Sequence, residues 1–259
     1  MIIDVNVYLS RWPFRRLPHD NPTSLVRKLS QRGVRQAWAG SFDGLLHKDI
    51  SSVNSRLVAD CKEHGEGLLV PVGSVNPTLP DWQEDLRRCH EVHQMHAIRL
   101  HPNYHGYTLD SEQCSQLLKE AHDRELVVQL VLSMEDPRVQ HPLLQVPVVD
   151  TKPLETLVKQ YPDLRLVIMN NYGAIKESRA AQLAESGQVY FEISHFENVG
   201  ALEKWVTTVP HERLLFGSYF PFFNLEAALL KFQESQVGGL ATSAIQYSNA
   251  QSLTAAAKN

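Results

Sequence analysis

Ile2-Ile3-Asp4-Val5-Asn6-Val7-Tyr8 is the stretch from which the fold is read. Apolar and polar residues alternate in it at a spacing of two, which predicts a β-strand with Asp4, Asn6 and Tyr8 on one face. Seven further runs rich in Val, Ile and Leu follow, at 34–42, 68–76, 96–101, 126–132, 165–170, 189–194 and 213–219. Most are almost continuously apolar, the mark of strands covered on both faces, as in a parallel sheet. Segments of helical period separate them near 22–32, 48–65, 80–93, 111–124, 151–161, 174–186, 199–209 and 224–235, with one more near 243–257. Asp110 or Ser111 offers the fourth helix an N-cap, and Asp150 or Thr151 the fifth.

Eight strand–helix units in 259 residues predict an α/β fold, a single domain over 1–259 closed as a (β/α)8 TIM barrel. An open, doubly wound sheet is the competing arrangement. Against it, no G-x-G-x-x-G follows the first strand, and Gly40 and Gly44 make no phosphate loop.

Composition narrows the function classes. Hydrophobic residues at 43% and charged residues at 21% are ordinary for a folded chain and argue against long disorder. Basic residues number 25 and acidic ones 29, spread along the chain for a net charge of -4, so nucleic acid and anionic membranes are not expected partners. Cys61, Cys89 and Cys114 are odd in number and far apart, which indicates neither a disulfide framework nor a thiolate metal site. The first residues enter a strand without a basic region and apolar run, and no apolar stretch approaches the ~20 residues a bilayer requires. A cytoplasmic location is expected.

In a barrel of this kind, ligand-handling groups come from strand C-termini and the loops that follow them. The longest such loops are 10–21, with Trp12, Arg15, Arg16 and His19, then 102–110 and 133–150. On the fourth strand Arg99 and His101 share a face and lead into Pro102-Asn103-Tyr104-His105-Gly106-Tyr107. Leu215-Phe216-Gly217-Ser218-Tyr219-Phe220-Pro221 lies on the eighth strand, and Tyr247-Ser248-Asn249-Ala250 in the last helix. Together with Ile-Asp-x-Asn-x-Tyr at the start, this pattern resembles the amidohydrolase-related family of the metal-dependent hydrolase superfamily, over nearly the whole chain.

The resemblance implies a (β/α)8 barrel holding one or two divalent metals. It implies hydrolysis of amides, esters or lactones, or decarboxylation of aromatic and related acids. Carried over position by position, the family's strand-one His-x-His falls on Asn6 and Tyr8, its strand-five His near Val131, its strand-six His near Asn170 and its strand-eight Asp on Tyr219. Amide and phenol are poor ligands for zinc or manganese and Val is none, so no metal and no other cofactor is expected. Tyr219 also replaces the carboxylate that takes a proton from water, and a phenol of pKa ~10 is a weak base.

What remains is a polar set with assignable roles. His101, His195, Tyr219 and Glu192 are the candidate proton-transfer residues, with Glu192 and Ser194 facing the lumen from the seventh strand. Arg99 is read as the grip on an anionic group, or the partner of a buried carboxylate such as Glu192. Asn6, Tyr8 and Asn170 are candidate substrate contacts. Arg138 either grips a carboxylate or closes a salt-bridged loop within Glu135-Asp136-Pro137-Arg138, and Trp12-Pro13-Phe14-Arg15-Arg16 is either a stacking lid or an aromatic plug. The ligand class is a small molecule with an anionic or carbonyl group, and a homo-oligomer is compatible with the family. Three functions stay open: a metal-independent enzyme, a non-catalytic binding homologue, and a hydrolase with substitute ligands among Asp4, His101, His105, Glu192 and His195.

Overall fold

A computed structural model describes residues 1–255. Its strands are β1 (Ile2–Leu9), β2 (Val34–Ser41), β3 (Leu69–Pro71), β4 (Gly73–Ser74), β5 (Ala97–Leu100), β6 (Val127–Val131), β7 (Leu166–Met169), β8 (Val189–Glu192) and β9 (Leu214–Leu215). They pair in sequence order, and every pair is parallel. The apolar run 68–76 supplies both β3 and β4, which are one barrel position interrupted at Val72, whose N–H donates to Ala39 O at 2.8 Å. The first and last positions meet through Val5 N–H to Phe216 O (2.9 Å) and Tyr8 N–H to Phe220 O (3.0 Å). The molecule is therefore a (β/α)8 TIM barrel, as the alternation predicts.

Helices begin where the caps place them. Asn21 caps Pro22–Gln31 by accepting from Ser24 N–H at 2.9 Å, and Ser111 caps Glu112–Asp123 through Cys114 N–H. The fifth helix differs from expectation, starting at Leu154. Asp150 turns back onto Lys152 N–H at 3.0 Å, and the Thr151 hydroxyl accepts from Arg179, so neither caps a helix. The segment expected at 243–257 forms Gly239–Ser243, a wider-wound stretch Ala244–Ser248 and Asn249–Ala255. Its positions 256 and 257 lie outside the described residues. No helix among the described residues is long and apolar enough to cross a membrane.

Alternation along the strands divides the core in two. Val7, Ile98, Leu100, Val128 and Leu130 pack outward against the helices. Ile3, Val5, Ala97, Val127, Val167, Tyr190 and Leu215 fill the lumen. Residues of one strand two apart then stack in layers up the barrel: Ala97, Arg99, His101 on one strand and Val127, Gln129, Val131 on its neighbour.

β1 does not keep its alternation. Its pairing with β2 slips between Asp4 and Val7, so Val5, Asn6 and Tyr8 all reach inward while Asp4 turns toward Ser218. The expected common face of Asp4, Asn6 and Tyr8 is broken by this bulge. Strand eight fits β1 closely at Gly217, where an added Cβ would stand 2.3 Å from Glu192 Oε2 and 3.1 Å from Asn6 Cβ. Gly217→Ala is expected to cost about 1–3 kcal/mol, seen as a lower urea midpoint at unchanged slope. An unchanged midpoint would show that this contact has room to give.

Candidate functional site

The middle layer of the lumen is organised by Arg99, which is 0% exposed. Its Nε–H donates to Gln129 Oε1 (2.7 Å), Nη1 to Val7 O (3.0 Å), and Nη2 to Val5 O (3.2 Å) and Trp38 O (3.1 Å). Gln129 Nε2 donates to Val5 O at 2.9 Å, and the guanidinium lies 4.3 Å from the Tyr8 ring centroid. Next to the β1 bulge the oxygens of Val5 and Val7 thus accept from Arg99. Gly40 makes room for it, since a Cβ there would come within 2.8 Å of Nη1. Arg99 does not pair with Glu192, the carboxylate named for it from sequence.

Glu192 belongs to a second network. Its Oε1 accepts from Asn170 N–H (2.7 Å) and Ser194 Oγ (2.8 Å), and its Oε2 from Ser194 N–H (2.7 Å). Asn170, with φ of 52°, also accepts from Asn6 Nδ2 and donates to Ser133 O, each at 2.8 Å. Ser194 Oγ lies 2.8 Å from His195 Nδ1. Ser194 has one hydroxyl proton, and the carboxylate can only accept it; the imidazole must then donate from Nδ1. His195 Nε2 carries the lone pair and has no partner among the described residues. Burial, assisted by the charge of Lys231, lowers the His195 pKa to about 3, so the free ring is neutral. Asp4, meanwhile, accepts from the backbone N–H groups of Asn6 and Ser218 and from the Ser218 hydroxyl, and burial pushes its carboxyl up to about 7.

Toward the mouth, Tyr8 OH meets His101 Nε2 at 3.0 Å. His101 Nδ1 is buried without a partner among the described residues, and burial, with His105 and Arg99 nearby, holds this ring well below its usual pKa. His105 Nε2 donates to Gly44 O at 2.9 Å. Tyr219, fully buried, donates its hydroxyl to Met134 O at 2.6 Å, and burial raises its pKa well above 10. The phenol is a committed donor and remains protonated.

Aromatic rings close the opening. Tyr8 stacks on Phe42 at 4.6 Å and Tyr219 on Phe222 at 4.8 Å, while Trp12 packs edge-on against Phe14, Phe42 and Phe222. Trp12 is 2% exposed, so the 12–16 segment forms the plug, with Arg15 pairing with Glu135 and covering Phe222. A cavity of about 10 Å³ beside His101, Tyr104, Ser133 and Met134 has room for roughly one water. Arg138 lies out on the loop, its side chain 84% exposed and paired with Asp136. Thus Asn6, Asn170, Glu192 and His195 form one connected group, and Tyr8, His101 and Tyr219 a second. Arg99 lies beneath them, and Arg138 is apart. Ser218, Met134 and Lys231 were not singled out by sequence reasoning. Nothing in their spacing separates them from ordinary strand, loop and helix positions.

The strand-end polar groups thus stand above the packed lumen of a (β/α)8 barrel. The amidohydrolase family model matches residues 11–242, and the chain belongs to that family. No curated protein sequence matches it. Among solved structures, a 5-carboxyvanillate decarboxylase from Sphingomonas paucimobilis superposes with a TM-score of 0.79 at 10% identity, covering 98% of both chains. A 2,6-dihydroxybenzoate decarboxylase from Rhizobium gives 0.73 at 12% identity, again over 98% of each. A dihydroxybenzoic acid decarboxylase from a Polaromonas species, solved with manganese and the inhibitor 2-nitroresorcinol, gives 0.73 at 13% over 100% of this chain and 98% of that one. At these identities the likeness establishes the fold.

The buried histidines set an acid limit on stability. His96, held to about 4 chiefly by burial, and His101, His105 and His195 all have folded pKa values below the ordinary 6.5. The unfolded chain binds protons near pH 6.5 where the folded chain does not, so their contribution is full above that pH and falls away below it. Asp4, at about 7 against 3.8, and Asp85, at about 6, act oppositely and stabilise at low pH. His93 joins the first set and Asp60 the second, and the excess of histidines predicts a melting temperature lower by roughly 5 °C at pH 5 than at pH 7. A rising melting temperature on acidification would show that the folded rings take up protons.

Proposed function

We propose that this amidohydrolase-family protein performs metal-independent proton transfer on a small carboxylated or carbonyl compound, with His195 as the acid–base residue. The observation that carries this reading is the chain from Glu192 through Ser194 to His195, which fixes the imidazole tautomer and leaves Nε2 unpaired at the rim. Glu192 and Ser194 are positioning residues. An anionic substrate is favoured because a carboxylate beside the ring would raise the proton affinity that burial depresses. The aromatic acids named for the neighbouring decarboxylases support the same class.

In this reading Arg99 braces the barrel, Tyr219 and the Tyr8–His101 pair hold the mouth, and Asn6 and Asn170 set the orientation of Glu192. Arg138 is an outlying group that meets a ligand only if the 133–150 loop moves. A divalent metal such as the manganese of the Polaromonas enzyme does not fit the donors here. Tyr8 is given to His101 and Tyr219 to Met134 O, Val131 offers no donor, and Asn6 brings only its amide Oδ1, a poor ligand by itself. The substitute set Asp4, His101, His105, Glu192 and His195 does not converge either, and no three His, Cys, Asp or Glu side chains among the described residues stand at metal-holding spacing. A cytoplasmic setting is supported by Cys61, Cys89 and Cys114, all free and buried.

A second reading is a non-catalytic binding homologue, favoured over turnover at the mouth by its closure, since the cavity there has room for roughly one water and none for a substrate as it stands. A panel of lactones, esters, 2-keto acids and aromatic acids, assayed after chelator treatment, separates the two. Retained activity that falls about 10²–10⁴-fold in His195→Gln is expected. Activity abolished by the chelator, or a fully active His195→Gln, contradicts the proposal, and binding without turnover selects the second reading.

A further inference from the structure

A separate cavity of about 340 Å³ opens between the segment after β8 and the helix Leu225–Gln233. Phe196, Leu202, Phe223 and Leu230 give it apolar walls, and Lys231 lines it. Lys231 Nζ donates to Ile193 O at 2.7 Å and to Ser194 O. A tetrahedral nitrogen bonded to Cε and donating two N–H groups to one side has a single position left, directed away from those carbonyls. In the ammonium form it carries the third N–H, and in the amine form the lone pair.

We infer that Lys231 is a nucleophilic amine that forms an imine with an uncharged, apolar or aromatic aldehyde or ketone held in this cavity. The Nζ lone pair attacks the carbonyl carbon and forms the C–N bond as the carbonyl π pair moves to oxygen. The carbinolamine then loses that oxygen as water, both of whose hydrogens derive from the amine, and no oxidant or reductant is consumed. The charged groups that act on Nζ are Glu192 on β8 and Glu197 in the following segment; Glu234, just beyond the end of its own helix, lines the same cavity, and His195 is neutral. Burial lowers the lysine to about 8 against the upward pull of Glu192 and Glu197, so about one amine in ten is free at pH 7. Glu197 and Glu234 disfavour anionic ligands, and the walls favour apolar ones. The inference does not rest on the His195 reading, whose observations lie in the Glu192–Ser194–His195 chain, although Lys231 adjoins that chain through Ser194 O.

The test is competitive labelling of the intact protein with limiting benzaldehyde and cyanoborohydride, followed by peptide mapping. Lys231 is expected to be modified about tenfold or more faster at pH 7 than Lys119 and Lys204, whose side chains are 64% and 67% exposed. Its rate should rise with a midpoint near 8. Glyoxylate, an anionic aldehyde, should lose that preference, and Ala227→Phe, which narrows the cavity from an exposed helix position, should slow Lys231 alone. Labelling of Lys231 no faster than Lys119 and Lys204 would overturn the inference and leave it a tether between helix and strand. Equal preference for glyoxylate, or indifference to Ala227→Phe, would overturn the assignment of ligand and cavity.

Discussion

The guanidinium of Arg99 holds together the part of the barrel on which everything above it rests. β1 slips in register between Asp4 and Val7, and beside the slip the buried main-chain oxygens of Val5, Val7 and Trp38 accept from one side chain. Buried carbonyls left unpaired are costly, and a planar cation with fixed donors reaches Val5, Val7 and Trp38 at once while Gln129 completes the layer. Delocalised charge and the Tyr8 ring face lessen the cost of keeping that cation out of water. Without it the bulge would not be tolerated, and Asn6 and Tyr8 would not both face inward.

From this base two networks grow in different directions. Asn6 and Asn170 hold Glu192, and through Ser194 they hold His195 at the rim. Tyr8 and His101 instead join Tyr219 and the rings of Trp12, Phe42 and Phe222 in a closed, largely apolar mouth. The groups of these two networks largely satisfy one another. Most polar groups at the strand ends are internal pairs; among the atoms left over are Asn6 Oδ1, His101 Nδ1 and His105 Nδ1, buried without partners among the described residues, and His195 Nε2 at the rim.

Much of the fold was legible because hydrophobic period survives folding. The runs at 34–42, 126–132 and 165–170 map onto β2, β6 and β7 within a residue or two, and Ser111 caps the helix it precedes. The site was legible as a set of residues but not as a set of contacts. Asp4 shows why: period two put it on the face of Asn6 and Tyr8, and a register slip that leaves no trace in composition sent it to Ser218. Arg99 read as the grip on an anion or the partner of a carboxylate because three of its acceptors are main-chain oxygens, which every residue has. Lys231 carries no signal in the sequence, since its partners, Ile193 O and Ser194 O, become neighbours only in the folded chain.

Equilibrium unfolding of Arg99→Met tests most directly whether that guanidinium serves the barrel rather than a ligand. Removing one partner of a buried charged network is expected to cost about 3–5 kcal/mol, read as a lower denaturant midpoint at unchanged slope. Wild-type stability in that variant, with affinity for small carboxylates lost, would contradict the account and return Arg99 to the role of anion grip.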